Sequence, residues 1–226
     1  MKKSRINLAL FCIATVAPFL SLTRLSAQNN EIIHDMDGNS YRTVKIGMQV
    51  WMAENLRSTK FNDGTPIPCV PDKNAWIILS SPAYCWYNND STLKRTFGGL
   101  YNGYAINTGK LCPAGWHIST DAEWSAMIEY LGGESNAGGK LKESGTNNWM
   151  TPNTGATNES GFTALPGGTR YGNGLYFSLK SAGSWWTLNK SNTLNGWYRS
   201  LNYASKTVTR NYIDLTNGNS VRCVKD

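Results

Sequence analysis

The sequence predicts an α+β domain, with helices in the middle of the chain and antiparallel strands toward both ends. Three observations carry that prediction. One amphipathic helix near residue 120 is specified at both of its ends. Short alternating apolar segments flank it on either side. The composition, with 16% charged residues, 22 Gly, 9 Trp and 11 Tyr in 226 residues, excludes the alternatives. A disordered chain lacks that aromatic content, and a coiled coil needs more charge and fewer glycines.

The elements follow in order. Lys2, Lys3 and Arg5 precede an apolar run from Ile6 to Leu22, and small Ser26 and Ala27 lead into polar Gln28. That layout reads as a signal peptide over 1–27, cleaved after Ala27. Pro18 interrupts the run and argues against an uncleaved anchor, and bulky Phe11 argues against lipidation at Cys12. Cleavage leaves roughly 200 residues, enough for one domain and short for two. The expectation is therefore an exported protein, in the periplasm, at the cell surface or secreted. The formal +7 includes Lys2, Lys3, Arg5 and Arg24 of the leader. A mature chain is only mildly basic, so nucleic acid is excluded as a partner. No second long apolar run predicts a membrane span after the leader is removed.

Residues 28–34 read as a flexible lead-in, and 35–226 as a single domain. Tyr41 to Ile46 and Gln49 to Met52 alternate around Gly47 as a β-hairpin, with Val50 and Met52 toward the core. Residues 62–82, rich in proline, read as an irregular loop. A short helix is expected over Leu100 to Ile106. Thr120-Asp121-Ala122-Glu123 is a capping box, followed by Trp124, Met127, Ile128 and Leu131 on one helical face and a Gly132-Gly133 stop. A helical piece around Lys140 to Lys142 precedes a loop over 144–160. Strands are then expected over Phe162 to Leu165, Leu175 to Leu179, Ser184 to Leu188, Trp197 to Tyr203, Lys206 to Thr209, Tyr212 to Leu215 and Ser220 to Val224.

Cys12 falls in the leader, leaving Cys69, Cys85, Cys112 and Cys223, an even set suited to two disulfides in an exported chain. Their connectivity is open. One arrangement joins Cys69 to Cys85 across a short loop and Cys112 to Cys223 across a long one, worth up to about 3 and about 4.7 kcal/mol by loop-closure entropy. The absence of a C-x2-C pair speaks against zinc.

Several motifs in register carry a resemblance. They are Asp35-Met36-Asp37-Gly38-Asn39-Ser40-Tyr41-Arg42-Thr43-Val44-Lys45-Ile46-Gly47, Gln49-Val50-Trp51-Met52-Ala53-Glu54-Asn55-Leu56, Cys85-Trp86-Tyr87-Asn88-Asn89-Asp90, Leu111-Cys112-Pro113-Ala114-Gly115-Trp116-His117, Asp121-Ala122-Glu123-Trp124 and Ser220-Val221-Arg222-Cys223-Val224-Lys225-Asp226. Together the chain resembles the Fibrobacter succinogenes major paralogous domain family. That resemblance implies export and a body related to formylglycine-generating enzymes and, more distantly, to C-type-lectin-like domains. It implies no activity.

The residues decide little in favour of an enzyme. His34 and His117 are the two histidines, one in the lead-in and the other in a turn where a structural role is expected. An oxidase of the formylglycine-generating type needs a reducible cysteine pair, whereas a binding module is expected to carry four oxidised cysteines. Cys69 and Cys85 show no cationic neighbour in sequence. Gly133 to Lys140 has the wrong spacing for a phosphate loop. Calcium is weighed on Asp35-x-Asp37 and on Trp86-Tyr87-Asn88-Asn89-Asp90, but the remaining ligands of either site are missing, so no metal is assigned. Asp90-Ser91-Thr92 resembles a short O-glycosylation acceptor, though a solvated loop is the simpler reading. What remains is an aromatic set: Arg170, Tyr171, Trp186, Trp197, Tyr198, Arg199 and Tyr203. Since strand neighbours face opposite ways, one of Trp185 and Trp186 and one of Trp197 and Tyr198 are expected in the core, leaving the other of each pair free for display, the alternative being that all of them fill the core. The expected function is a non-catalytic domain binding a glycan or a surface protein. The alternatives are an oxidase or a structural envelope component.

Overall fold

The computed structural model describes residues 31–226; the expected leader and residues 28–30 lie outside the described residues. The first elements are β1 (Ile32–His34), β2 (Ser40–Ile46), β3 (Gln49–Met52), α1 (Lys73–Ile77), β4 (Tyr84–Cys85), α2 (Lys94–Phe97), β5 (Leu100–Asn102), α3 (Gly103–Ile106) and β6 (Trp116–Ile118). Next come α4 (Asp121–Tyr130) and α5 (Glu134–Leu141), then β7 (Gly167–Arg170), β8 (Tyr176–Leu179), β9 (Ala182–Lys190), β10 (Asn195–Asn202), β11 (Val208–Asp214), β12 (Gly218–Asn219) and β13 (Cys223–Lys225). The α+β reading holds, with strands predominating.

Two sheets organise the chain. One runs β1-β2-β3-β13-β6, so the last strand sits between an early hairpin and the middle of the chain. The other runs β11-β10-β9-β7-β12-β5-β4, with β8 paired to β7. Among these strands all ladder pairings are antiparallel except β7 with β9, and isolated parallel bridges join Cys69 to Tyr84 and Trp185 to Ser220. Strand β9 lies between two core clusters: Trp185 faces Trp51, Trp124 and Phe162, while Trp186 faces Tyr101, Met52 and Val221. The side chains of Trp51, Trp76, Trp124, Trp149, Trp185 and Trp186 are all fully buried. These aromatics share the core with buried leucines, each aromatic contributing about 5 kcal/mol by the area it removes from water.

The capping box forms as expected. The Glu123 amide donates to Thr120 Oγ1 at 3.2 Å, and the Thr120 amide donates to Glu123 Oε2 at 2.7 Å. Trp124, Met127 and Ile128 make the buried face of α4.

Other expectations are corrected. Part of the expected lead-in is strand β1, because Ile33 buries its side chain and pairs with Tyr41, and the Thr43 amide donates to the Glu31 carbonyl. The proline-rich loop contains α1, capped by Asp72 on the Ala75 amide at 2.7 Å and anchored by buried Trp76. Leu100–Asn102 is a strand before it is a helix, since Leu100 and Tyr101 pair with Cys85 and Tyr84. In β3, Trp51 as well as Met52 is buried, because both faces of that strand are covered.

Helix α5 is longer than its sequence suggested, and its Gly138 and Gly139 explain why. A Cβ on Gly138 would stand 2.6 Å from the Lys206 carbonyl oxygen, and one on Gly139 would meet the Gly155 carbonyl. These glycines lower helix propensity but let the helix lie against backbone. Phe162 to Leu165 contributes only a bridge from Ala164 to Lys142, and the strand lies instead at Gly167–Arg170. The two segments expected at 206–209 and 212–215 are one strand, β11.

Candidate functional site

Irregular loops leave many backbone carbonyls without ladder partners, and burying such groups unpaired is costly. In this protein buried cations accept that role. Arg222, fully buried, donates to the carbonyls of Met52, Phe162 and Thr163 and to Asn55 Oδ1, at 2.7–2.9 Å. Asn55 Oδ1 also takes the Trp185 indole N–H at 2.9 Å, and its Nδ2 donates to the Phe97 carbonyl at 2.8 Å. Lys142 holds the carbonyls of Thr154, Asn202 and Ser205 at 2.7–3.1 Å, and burial brings its pKa down to about 8.

This accounting removes three of the seven expected ligand residues from the surface. Arg170 is fully buried. It donates to the Val70, Pro71, Asp72 and Gly174 carbonyls and lies 4.2 Å over Trp76. Arg199, 2% exposed, is held by Asp121, Glu134 and the Ser125 hydroxyl. Trp186 is buried with its indole N–H on the Tyr101 carbonyl at 2.8 Å. The alternation along β9 is as expected, but both of its faces are covered. Tyr203 is half-buried and packs against the cluster around Trp185.

Two aromatic surfaces remain. Trp197 on β10 pairs across the strands with Tyr212 on β11. Their rings stand edge to face, with centroids 5.5 Å apart at 86°. The Arg210 guanidinium lies 3.6 Å from the Trp197 ring centroid, and its Nε donates to Asp121 Oδ2 at 2.8 Å. Asp121 Oδ1 takes Arg199 as well, so one carboxylate in the first turn of α4 ties both arginines. Tyr212, 60% exposed, is thereby braced from behind. The sequence reading missed Tyr212 and Arg210; cross-strand register is the signal that would have found them.

The second surface lies at the tip of the β7–β8 hairpin. Tyr171 and Phe177 pack with ring centroids 5.0 Å apart and planes tilted by 54°, Leu175 stands beside them in the chain, and all three are about two-fifths exposed. Half-buried Tyr198 is near enough that burial first, and then Tyr171, hold its phenol above the ordinary value. Separately, a mostly apolar cavity of about 690 Å³ opens between the β2–β3 turn and α4, lined by Ile46, Met48, Ala126 and Tyr130.

The cysteines part company. Cys112 and Cys223 form a disulfide, with Cα atoms 6.0 Å apart. The second bridge that was expected does not form: Cys69 and Cys85 are free thiols, the first exposed and the second buried. The parallel bridge of Cys69 with Tyr84 sets Cys69 one residue out of step with Cys85. Arg170 and the Tyr176 hydroxyl do contact Cys85, a cationic neighbour invisible in the sequence. Burial nevertheless outweighs them and pushes the thiol up to about 11.

His117 is held between Asp226, 2.6 Å from Nδ1, and Glu123, 2.8 Å from Nε2. His34 Nδ1 lies 3.2 Å from Ser40 Oγ. The acids weighed for calcium are engaged internally. Asp35 takes the Asp37 and Asn39 amides and the Tyr41 hydroxyl, Asp37 takes Thr59, and Asp90 takes Thr92. Among the described residues no group of three or more His, Cys, Asp or Glu is gathered at one point. No helix among them is long and apolar enough to cross a membrane.

These features define an α+β domain pinned by buried cations and one disulfide, with aromatic side chains displayed at two places. The chain belongs to the Fibrobacter succinogenes major domain family, whose model matches residues 44–225. No curated protein and no solved structure matches it.

Proposed function

We propose that this protein is an exported, non-catalytic domain with a body of the formylglycine-generating-enzyme and C-type-lectin-like kind. It binds a glycan on the braced aromatic surface of β10 and β11. The observation that carries this reading is Tyr212, exposed yet fixed by Trp197, Arg210 and Asp121. A rigid aromatic loses little conformational freedom on binding, which is what makes such side chains effective contact residues.

Export is supported by the leader-like residues 1–27 and by a disulfide suited to an oxidising compartment. The lectin-like body is supported by β13 pairing with β3, which joins the two ends of the domain. An oxidase reading is disfavoured because a buried, protonated Cys85 is a poor nucleophile. The Tyr171, Leu175 and Phe177 patch favours a surface protein as a second ligand, since contiguous exposed apolar side chains mark protein contacts.

The test is titration of the purified protein against a panel of neutral and acidic oligosaccharides, with Tyr212→Ala and Trp197→Ala alongside. Binding to at least one sugar should weaken about tenfold or more in either variant, as expected for a contact worth about 1.4 kcal/mol. It should persist in the presence of a chelator. Unchanged binding in both variants would refute the assignment of this surface.

A further inference from the structure

A second polar site lies elsewhere in the fold, where the start of β2 meets the chain around α2. It is a pocket of about 500 Å³, within the size range of small-molecule sites. Arg57, Lys94 and Arg95 line it together with Asn39, Ser40 and Thr92, and no acidic side chain does. Two of the cations are mounted on rings. The Arg57 guanidinium lies 4.5 Å over buried Tyr41, and Lys94 Nζ lies 5.4 Å over Trp86. Arg57 is further fixed by donating to the Ser40 carbonyl at 2.7 Å.

Among the nearby acids, Asp37 is close enough to feel the charge of Lys94, but its oxygens are bonded to Thr59 and face Lys60, not the pocket cations. Asp35 and Asp37 spend their oxygens on turn amides, Tyr41 and Thr59, and Asp90 caps Thr92. Among the described residues none of Arg57, Lys94 and Arg95 has a carboxylate within 4.0 Å. Three cations facing one concavity without a directly paired carboxylate repel one another, and an anion seated among them relieves that repulsion.

We infer that this pocket binds an acidic sugar, one carrying a carboxylate or a sulfate group. The guanidinium forks of Arg57 and Arg95 suit such planar or tetrahedral oxyanions. The amide of Asn39 and the hydroxyls of Ser40 and Thr92 suit the hydroxyl groups around them. The concavity disfavours a flat membrane surface. A peptide carboxylate would find the same cations but leave those hydroxyl partners unused. The site shares no residue with the Tyr212 surface and stands or falls independently of it.

The experiment is calorimetric titration with oligogalacturonate, a sulfated galactose oligomer, the carboxyl-reduced neutral form of the first, tetraglutamate and sodium sulfate. Arg95 is exposed and unpaired, so Arg95→Glu leaves the fold intact; thermal melting of that variant checks this. Expected are saturable binding of at least one acidic oligomer, weakening with added salt, and at least tenfold loss in Arg95→Glu whether or not Tyr212 is also replaced. The neutral form should bind more weakly than the acidic one, and any binding it shows should be the same in Arg95→Glu as in the parent. The inference is overturned if neither acidic oligomer binds, if Arg95→Glu binds as well as the parent, or if the neutral form, tetraglutamate or free sulfate matches the acidic sugar.

Discussion

At the scale of single residues, the informative groups are buried cations that serve loop backbone. Arg222→Met would keep the volume but leave the Met52, Phe162 and Thr163 carbonyls and part of Asn55 unpaired. Leaving such groups unmatched in a core costs about 3–5 kcal/mol. Urea denaturation should show a loss of that size, and a loss under about 1 kcal/mol would contradict the pinning role. His117 supplies the pH dependence. Burial opposes its charged form, but Asp226 and Glu123 outweigh burial and raise its pKa above the ordinary 6.5. The folded state therefore binds the proton more tightly than the unfolded chain. The stabilisation is complete below about pH 6.5 and is lost as pH rises through the folded value. An NMR titration of the imidazole should place its midpoint above 6.5, and a midpoint below that would remove the argument. The sequence expected a structural role for His117, although in a turn and not in β6 where it pairs with Val224, and it put Arg170 and Arg199 in the binding surface. Neighbouring aromatics mark a displayed arginine and a buried cation–π arginine alike. What separates them is a set of distant carbonyls and carboxylates, such as Val70 and Asp121, that no local pattern reveals.

At the scale of elements, α4 was legible because its signals are local: a capping box, a helical stripe and a glycine stop all lie within a few turns. Helix α5 was not, because its glycines answer to the backbone of Lys206 and Gly155, far along the chain. Gly138→Ala separates the two influences. Helix propensity alone favours alanine by about 1 kcal/mol, whereas overpacking costs about 1–3 kcal/mol. A net destabilisation is expected in thermal melts, and a stabilised variant would show that the close approach is slack. The same locality governs the strands. β2 and β3 alternate around a turn and could be read, while Gly167–Arg170 has little strand propensity and is a strand only because β8, β9 and β12 pair with it. Cross-strand register also made the candidate site, since Tyr212 matters through Trp197 and Asp121.

At the scale of the whole molecule, the Cys112–Cys223 bridge closes a loop of 111 residues and ties β13 to the turn before β6. By loop entropy its reduction is worth about 4.7 kcal/mol. The family was legible in the sequence, and this bridge was one of the arrangements left open there; the free state of the other two cysteines was not, because it depends on a one-residue offset between distant segments. The whole molecule thus seals Cys85 inside a rigid body, apart from exposed Cys69, and leaves binding to its exterior. Differential alkylation of the native and then the denatured protein, without reductant and read by peptide mass spectrometry, tests this most directly. The account predicts Cys69 labelled in the native state, Cys85 labelled only after denaturation, and Cys112 joined to Cys223. Rapid labelling of Cys85 in the native protein, or a Cys69–Cys85 bridge that a mild reductant opens, would contradict it and bring thiol chemistry back as the function.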